Sequence, residues 1–313
     1  MLPSTWAPRL RVPLIAAPMT AVSGPDLVVA ACRQGVIGSF PTHNARTPAQ
    51  LDRWLTHIRE ALPAAAAPVA PNLVVHRSNP RLREDVDCLV RHGAELVITS
   101  VGSPEPVIGP LHDAGALVFA DVATLRHVDR AVAAGADGLV LLTSGAGGQT
   151  GWNNPFAFVR AVREGYDGPV VLAGGVSDGV ALLAARLLGA DLAYMGTRFI
   201  ATEESLAGDD YRRALVAASL DDIVQSRGPS GLPANFLAES LPAGDGSGHP
   251  ARFDYRTLLE PPRAWAAGQT AHSVRRVQSV AELVESTLAE YASALRAVPV
   301  GPLAEAGAAG KEF

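Results

Sequence analysis

The sequence is poor in cysteine and contains no cluster of positive charge. Its two cysteines, Cys32 and Cys88, lie inside apolar periodic segments and have no metal-ligand spacing. We expect both to be reduced core residues, which is typical of a cytosolic protein. The formal net charge is −5, and Lys and Arg are dispersed along the chain. This charge pattern argues against nucleic acid and against an anionic membrane surface as partners.

Long apolar runs are also missing. No segment approaches the roughly 18 apolar residues of a membrane-spanning helix, and the N-terminus lacks a basic segment followed by an apolar one. Aromatic residues are few, but apolar residues make up 48% of the 313 residues, which is enough for a sizeable core. The composition predicts a soluble, cytoplasmic, enzyme-sized protein and leaves its oligomeric state open.

A helix–glycine–strand pattern recurs along most of the chain. It is visible in "RHGAELVITS" (91–100), "AAGADGLVLL" (133–142) and "LLGADLAYMG" (187–196). The glycine suits the left-handed residue that follows a helix, and the apolar run after it is typical of a strand buried on both faces. Strands of this kind are predicted over residues 12–19, 35–40, 70–75, 95–100, 116–122, 137–143, 169–174 and 191–196.

Amphipathic helices between these strands complete the repeated unit. Two examples are residues 47–62 and 79–93, with Thr47 and Asn79 as expected N-caps, each followed by proline. A series of eight β/α units predicts a (β/α)8 TIM barrel in the α/β class. The alternative is a doubly wound open sheet, but its usual GxGxxG phosphate motif is missing after the first strand.

The pattern ends near residue 205. Residues 226–269 are rich in Pro and Gly and lack a clear period, whereas residues 279–298 predict a closing helix that begins with a capping box. We therefore predict a barrel over residues 1–205. Residues 206–313 are expected to pack on it as part of the same domain, with an irregular cap over the barrel mouth.

Glycine-rich loops follow the last three predicted strands, at residues 145–151, 173–179 and 195–199. Active sites of such barrels lie at the carboxyl ends of the strands, and phosphate groups often bind after strands 7 and 8. Backbone N–H groups of glycine loops, aided by a helix N-terminus, can hold an anion. One Gly-Gly pair would indicate only a tight turn, but three such loops in succession favour phosphate binding.

Seven short motifs follow one another along the chain. They are "APMT" (17–20), "NLVV" (72–75), "GAGGQTG" (145–151), "AGGVSDG" (173–179), "MGTRFIATEES" (195–205), "WAAGQ" (265–269) and "SVAELV" (279–284). With these motifs the sequence resembles the nitronate monooxygenases, formerly called 2-nitropropane dioxygenases, over about residues 10–295. The resemblance implies an FMN-dependent (β/α)8 barrel whose relatives include NAD(P)H:quinone reductases and FMN-containing enoyl reductases.

The resemblance also implies which residues hold FMN. The expected contacts, from ring to phosphate, are Ala17, Pro18, Met19, Asn72, Gly147, Gly148, Gly174, Gly175, Gly196 and Thr197. The first four would contact the flavin ring or ribityl chain, the next two would lie against the cofactor, and the last four would bind the phosphate. Two alternatives stay open, because Asn72 would also suit the cap of a strand end and Met19 would also suit the core.

The chain departs from the family pattern at Gln149. In that pattern the strand-6 loop normally reads Ala-Gly-Gly-His-x-Gly, and the histidine is assigned as the base that removes the α-proton of a neutral nitroalkane. A glutamine amide can donate and accept hydrogen bonds but cannot take up a proton. Gln149 therefore either orients an oxygen of the substrate or serves as a spacer.

Other histidines are candidates to replace the missing base. His43 and His76 directly follow the second and third predicted strands, so both are expected near the barrel mouth, and His272 lies in the C-terminal region. A loop histidine is also common as an exposed or structural residue. The carboxylates show no paired spacing that demands acid–base chemistry, and no His/Asp/Glu cluster has the spacing of metal ligands, so no metal is expected.

Three functions are compatible with these features. The first is an FMN-dependent monooxygenase that oxidises nitronates or similar stabilised carbanions with O2, because an ionised substrate needs no protein base. The second is an NAD(P)H-dependent FMN reductase of enones, enoyl thioesters or quinones. The third is a flavin-binding protein without turnover. The first two are small-molecule oxidoreductases, and the sequence does not fix the substrate.

Overall fold

The computed structural model describes residues 2–227, 231–241, 253–260 and 264–298. Its strands are β1 (Leu14–Ala16), β2 (Ile37–Pro41), β3 (Val69–Val74), β4 (Leu96–Ser100), β5 (Leu117–Val122), β6 (Gly138–Leu142), β7 (Gly148–Gln149), β8 (Val170–Ala173), β9 (Leu192–Met195), β10 (Ile223–Ser226) and β11 (Ala234–Leu237). A closed barrel runs in the order β1-β2-β3-β4-β5-β6-β8-β9, and the parallel pairing of β9 with β1 closes it. Each predicted strand overlaps one barrel strand. The predicted (β/α)8 barrel is confirmed, and the open sheet is excluded.

Helices connect the barrel strands. The α-helices are α1 (Pro25–Arg33), α2 (Pro48–Ala61), α3 (Leu82–Arg91), α4 (Glu105–Asp113), α5 (Leu125–Ala133), α6 (Pro155–Arg163), α7 (Gly179–Leu188), α8 (Thr197–Ile200), α9 (Asp209–Ala217) and α10 (Val280–Ala297). Short 3-10 helices lie at Ala7–Arg9, Thr42–Asn44, Leu220–Asp222, Ala238–Ser240, Tyr255–Leu258 and Gln269–Ser273.

One of the two predicted N-caps is confirmed. The Thr47 side chain accepts a hydrogen bond from a backbone N–H in the first turn of α2. The prediction for Asn79 is wrong, because α3 begins three residues later, at Leu82. The Asn79 side chain instead donates to the carbonyl oxygen of Val74 and accepts from the N–H of Arg81, so it stabilises the turn that precedes the helix.

The barrel interior is apolar over most of its length. Its buried side chains include Ile15, Ile37, Ile98, Phe119, Val140, Val171 and Leu192. Two further buried clusters lie between the strands and the surrounding helices. Toward the carboxyl ends of the strands the interior becomes polar, with Asn72, Ser100, Asp121 and Tyr194 lining a cavity. The fold thus places its polar interior residues at the end where barrel active sites lie.

The C-terminal region covers this end of the barrel, as predicted. Strand β11 pairs with β10 and also with the two-residue strand β7, which lies in the loop after β6. The predicted closing helix is confirmed as α10, and its capping box is present. Helix α10 packs tightly on α7, because a Cβ at Gly179 would lie 2.0 Å from the backbone nitrogen of Tyr291. The proposed division at residue 205 stays a prediction, and residues 228–230, 242–252 and 261–263 of the cap lie outside the described residues.

Two expectations from composition can be compared with the structure. Cys32 and Cys88 are both buried and free of disulfide bonds, as predicted. Within the described ranges, no helix combines the length and the apolar character that crossing a membrane requires.

Candidate active site

A cavity of about 670 Å³ opens at the carboxyl ends of the barrel strands. Its volume lies in the range of small-molecule binding sites. The strand-end loops line one side, and the C-terminal region supplies an aromatic wall that includes Tyr211, Phe236, Phe253 and Trp265. The rings of Tyr211 and Trp265 are stacked, with their centroids 5.4 Å apart. The cavity therefore lies between the barrel and its cap.

The structure brings together nearly all of the predicted site residues. The ten predicted cofactor contacts line the cavity, and so do Gln149 and His43. His76 does not line the cavity. Its ring packs edge-on against the ring of Phe253, and Phe253 is one of the lining residues. This arrangement gives the predicted residues a common location, and their contacts with FMN stay a prediction.

The loop after β8 has the geometry of an anion cradle. Gly174 and Gly175 have φ angles of 119° and 77°, which favour glycine. A Cβ at Gly175 would meet no atom within 4 Å, so this side of the loop faces open space. The backbone N–H groups of Gly174, Gly175 and Val176 donate to no other described residue. Consecutive free N–H groups at such a turn suit a phosphate.

The start of α8 adds a second set of donors beside this loop. Gly196 precedes the helix, and Thr197 is its first residue. The Thr197 hydroxyl accepts a hydrogen bond from the N–H of Gly268 in the cap, with a distance of 2.9 Å. A hydroxyl that accepts one bond can still donate its own hydrogen. Thr197 can therefore join the cap to an anion bound in the cradle.

The N-terminus of α7 contributes less than expected to this cradle. Asp178 caps the helix by accepting from the N–H of Ala181, and Glu290 of α10 accepts from the N–H of Gly179. These carboxylates use the donors that an anion would otherwise find there. The guanidinium of Arg198 donates to the carbonyl oxygen of Ser177, which brings positive charge to the same loop.

The segment after β1 forms another part of the cavity wall. Ala17, Pro18 and Met19 line it, and Met19 also packs against two apolar clusters, so both sequence interpretations of Met19 are compatible with its position. The Asn44 amide donates to the carbonyl oxygen of Met19 and thereby fixes this segment. Asn72 is buried and donates to the carbonyl oxygen of Ile98 at 3.3 Å.

Gln149 is held in a rigid backbone setting at the cavity. It belongs to β7 and pairs with Ala234 of β11. Its loop is also joined to the cap by Asn235, whose side chain donates to the carbonyl oxygen of Ala146 at 2.7 Å. Gly147 packs against Gly268, and a Cβ on Gly147 would lie 2.6 Å from the Gly268 nitrogen. Among the described residues, the Gln149 amide has no hydrogen-bond partner, so it is available to a ligand.

The candidate histidines differ in environment. His43 is buried, and its Nε2 lies 3.0 Å from the Thr20 hydroxyl oxygen. Burial, reinforced by the charges of Arg81 and Arg46, lowers the pKa of His43 to about 3. The Nδ1 atom of His76 lies 2.7 Å from the Ser78 hydroxyl oxygen, outside the cavity lining. His272 is exposed and its ring bonds the carbonyl oxygen of Gln269.

Two polar cavity residues were missed by the sequence interpretation. Asp121 on β5 and Tyr194 on β9 both line the cavity. The Asp121 Oδ1 atom and the Tyr194 hydroxyl are shielded from solvent and have no partner among the described residues. The signal that could have identified Asp121 is its place in β5, two residues beyond Phe119 of the barrel interior. Side chains two apart in a strand share a face.

A group of three residues of metal-ligating types lies away from this cavity. The ligand atoms of Asp52, Cys88 and His92 are within 4.8 Å of one another, on α2 and at the C-terminal end of α3. The His92 Nε2 atom already lies 2.9 Å from Asp52 Oδ1, and the Arg91 guanidinium lies 3.7 Å from the same oxygen. Within this cluster, the Asp52 carboxylate is hydrogen-bonded to His92 and paired with the Arg91 guanidinium.

Comparisons with known proteins point to one family. A family model described as nitronate monooxygenase matches residues 81–257. The chain is 29% identical over 273 residues to the nitronate monooxygenase of Paraburkholderia phytofirmans, with 74% of this chain and 75% of that protein covered. It is similar to the crystal structure of nitroalkane oxidase from Streptomyces ansochromogenes, with a TM-score of 0.83, 25% identity, and 94% of this chain and 100% of that chain covered.

A further relative carries a different name. The chain is 28% identical over 229 residues to the (3aS,4S,5R,7aS)-5-hydroxy-7a-methyl-1-oxo-octahydro-1H-indene-4-carboxyl-CoA dehydrogenase of Rhodococcus jostii. The match covers 73% of this chain and 63% of that protein, so the chain spans slightly less than two thirds of this relative's length. The relatives are thus oxidoreductases with different named reactions.

Proposed function

The chain belongs to the nitronate monooxygenase family, whose members are flavin-dependent, and we propose that it is an FMN-dependent oxidoreductase that oxidises nitronates or similar stabilised carbanions with O2. One observation carries this proposal. The cavity is lined by the glycine-rich strand-end loops and by Gln149, which the sequence resemblance aligns with the family's base position. An enzyme without this base suits a substrate that arrives as a carbanion.

The phosphate of FMN would be held by the loop after β8 and the start of α8. The free N–H groups of Gly174 and Gly175 and the hydroxyl of Thr197 would donate to it. The ring would lie along Ala17–Met19 and reach Asn72, whose amide has a second N–H to donate. When bound, FMN would take up the substrate's electrons and pass them to O2.

The protein side chains would bind the substrate without changing its protonation. The Gln149 amide would donate to an oxygen of the nitronate. His43 would remain neutral at pH 7, because its pKa is about 3, and it would contribute through hydrogen bonding or packing. The aromatic wall of the cap would exclude water from the alkyl part of the substrate. Small alkyl nitronates would fit a cavity of this kind, because they have a polar nitronate group at one end and an apolar alkyl group at the other.

A second candidate function is an FMN-dependent reductase or dehydrogenase of CoA thioesters or enones, with NAD(P)H as co-substrate of the reductase. The Rhodococcus jostii relative favours it, because its name describes a dehydrogenase of a carboxyl-CoA compound. The same cavity would serve, since transfer of hydride to or from a flavin does not require Gln149 to be a base.

Anaerobic reduction of the purified flavoprotein separates these functions. We expect a pre-formed alkyl nitronate to bleach the flavin absorbance rapidly, and NADH and NADPH to do so slowly. The flavin released by denaturation should be FMN when identified by chromatography. Rapid bleaching by NADH or NADPH, with none by the nitronate, would replace the first function by the second. A protein that neither contains nor takes up flavin would contradict both.

A further inference from the structure

Two polar groups that make no well-formed hydrogen bond with the described residues face the cavity from the barrel interior. They are the Asp121 carboxyl on β5 and the Tyr194 hydroxyl on β9. They lie close enough that the Asp121 charge would help to raise the pKa of Tyr194. Buried polar groups in native proteins nearly always have a hydrogen-bond partner. Both groups also line the cavity, where a bound ligand can supply a partner.

The surroundings of Asp121 keep its carboxyl neutral. Its neighbours in the interior include Phe119, Val140 and Leu142, which are apolar. Burial alone raises the pKa of Asp121 to about 8, and no cation among the described residues opposes this rise. A neutral carboxyl group has an O–H to donate, whereas a carboxylate can only accept hydrogen bonds. At pH 7 Asp121 is therefore a donor directed at the cavity.

The other groups around Asp121 do not titrate in the same pH range. Asn72 of β3, Ser100 of β4 and Leu142 of β6 face the same cavity and carry no titratable group. Tyr194 of β9 is titratable, but burial, followed by the charge of Asp121, raises its pKa well above the ordinary value, and the neighbouring Ser39 hydroxyl opposes this rise only in part. His127 of α5 lies behind the strand end, where its ring nitrogen accepts from the N–H of Ala123.

We propose that Asp121 is a cofactor-binding residue that, as a neutral acid, donates a hydrogen bond to an acceptor atom of the flavin ring, with the Tyr194 hydroxyl as a second donor. This inference rests on the proposed FMN-dependent function. The carbonyl oxygens and unprotonated ring nitrogens of a flavin are acceptors, so they match two donors. Ionisation of Asp121 would remove one donor and place a negative charge beside an acceptor. Flavin binding should therefore weaken as Asp121 loses its proton.

The test measures flavin dissociation constants of the apoprotein by fluorescence quenching from pH 7 to 9.5. If only the neutral acid binds, a pKa of about 8 predicts that the Kd for FMN rises about 30-fold over this range. Asp121→Asn is the matched variant, because its amide keeps the size and a donor but cannot ionise. Its Kd should change less than about 3-fold. Tyr194→Phe should keep the pH dependence and weaken binding at every pH.

Riboflavin, which lacks the phosphate, identifies the source of any pH dependence. Its Kd should be higher than that of FMN and should rise with pH by the same factor. A pH-independent Kd of the wild type would overturn the inference and leave the proposed function intact, and so would a pH dependence that is lost with riboflavin. If Asp121→Asn fails to fold, the wild-type profiles with the two flavins still decide the question. Absence of FMN binding at pH 7 would refute the proposed function itself.

Discussion

Replacing Gln149 by histidine would introduce the base that the sequence resemblance implies for this position. Gln149 is fixed by pairing with Ala234, and its side chain reaches the cavity without a protein partner. A histidine imidazole at this position would have a nitrogen free to take up the α-proton of a neutral nitroalkane. General-base catalysis typically contributes about 10²- to 10⁴-fold. We expect the wild type to turn over pre-formed nitronates faster than neutral nitroalkanes by about this factor. The ratio of the two rates should be smaller in Gln149→His.

The control variant Gln149→Ala removes the amide without adding a base. One neutral hydrogen bond contributes about 0.5–1.5 kcal/mol, so nitronate turnover should fall only about 2- to 13-fold. The ratio of nitronate to nitroalkane rates should stay large in this variant. The measurement is O2 consumption at matched substrate concentrations. One sample receives the neutral nitroalkane and the other receives the pre-formed nitronate, and both rates are recorded before the two forms interconvert.

Two results would refute this reasoning. The first is efficient use of neutral nitroalkanes by the wild type, with a pH profile that turns near 6.5, the ordinary pKa of histidine. Another residue would then act as the base, and Gln149 would be incidental; His43 would not fit this role, since its pKa is about 3. The second is an unchanged rate ratio in Gln149→His when the variant binds FMN normally. In that case the position does not face the reacting carbon.

Two further predictions concern the cradle and the buried histidine. Gly175→Asp should weaken FMN binding more than the uncharged matched variant Gly175→Asn. Both variants carry the strain of a φ of 77°, but only the carboxylate repels the phosphate. Equal Kd values from flavin titration would contradict the phosphate assignment. His43 is neutral when folded but takes up a proton below about pH 6.5 when unfolded. The free energy of unfolding should therefore fall by up to about 1.4 kcal/mol per pH unit between pH 6.5 and 3 from this residue. In urea unfolding, His43→Gln should show a shallower decline with falling pH, and parallel curves would contradict the low pKa of His43.

The barrel could be predicted from the sequence because each of its units has a local signal. A glycine after a helix and an apolar run lie within about ten residues of each other, as in residues 133–142. The three-stranded sheet of the cap has no such signal. Strand β7 contains two residues, and it exists because Gly148 pairs with Asn235, far along the chain. Such a pairing depends on the tertiary fold, so local patterns do not reveal it.

The sequence could predict which loops line the cavity but not the protonation of the side chains in it. The glycines of the strand-end loops were identifiable because backbone conformation and close packing restrict these positions to glycine. The protonation state of His43 could not be predicted from the sequence. Its low pKa arises from burial and from the charge of Arg81, which is distant in sequence. Asp121 was overlooked for a related reason. A search for paired carboxylates does not detect a single acid that burial keeps neutral.

Gln149, His43 and Asp121 share one electrostatic property, and it bears on the substrate. All three line the cavity, and at pH 7 none of them carries a charge, since the pKa of His43 is about 3 and that of Asp121 is about 8. Neutral groups in a low-dielectric cavity can donate hydrogen bonds to an anion without requiring the removal of a charge. They offer little driving force for creating that anion by proton transfer, because Gln149 cannot accept a proton and His43 is too weak a base. These three residues therefore support the proposed use of a substrate that is ionised before it binds.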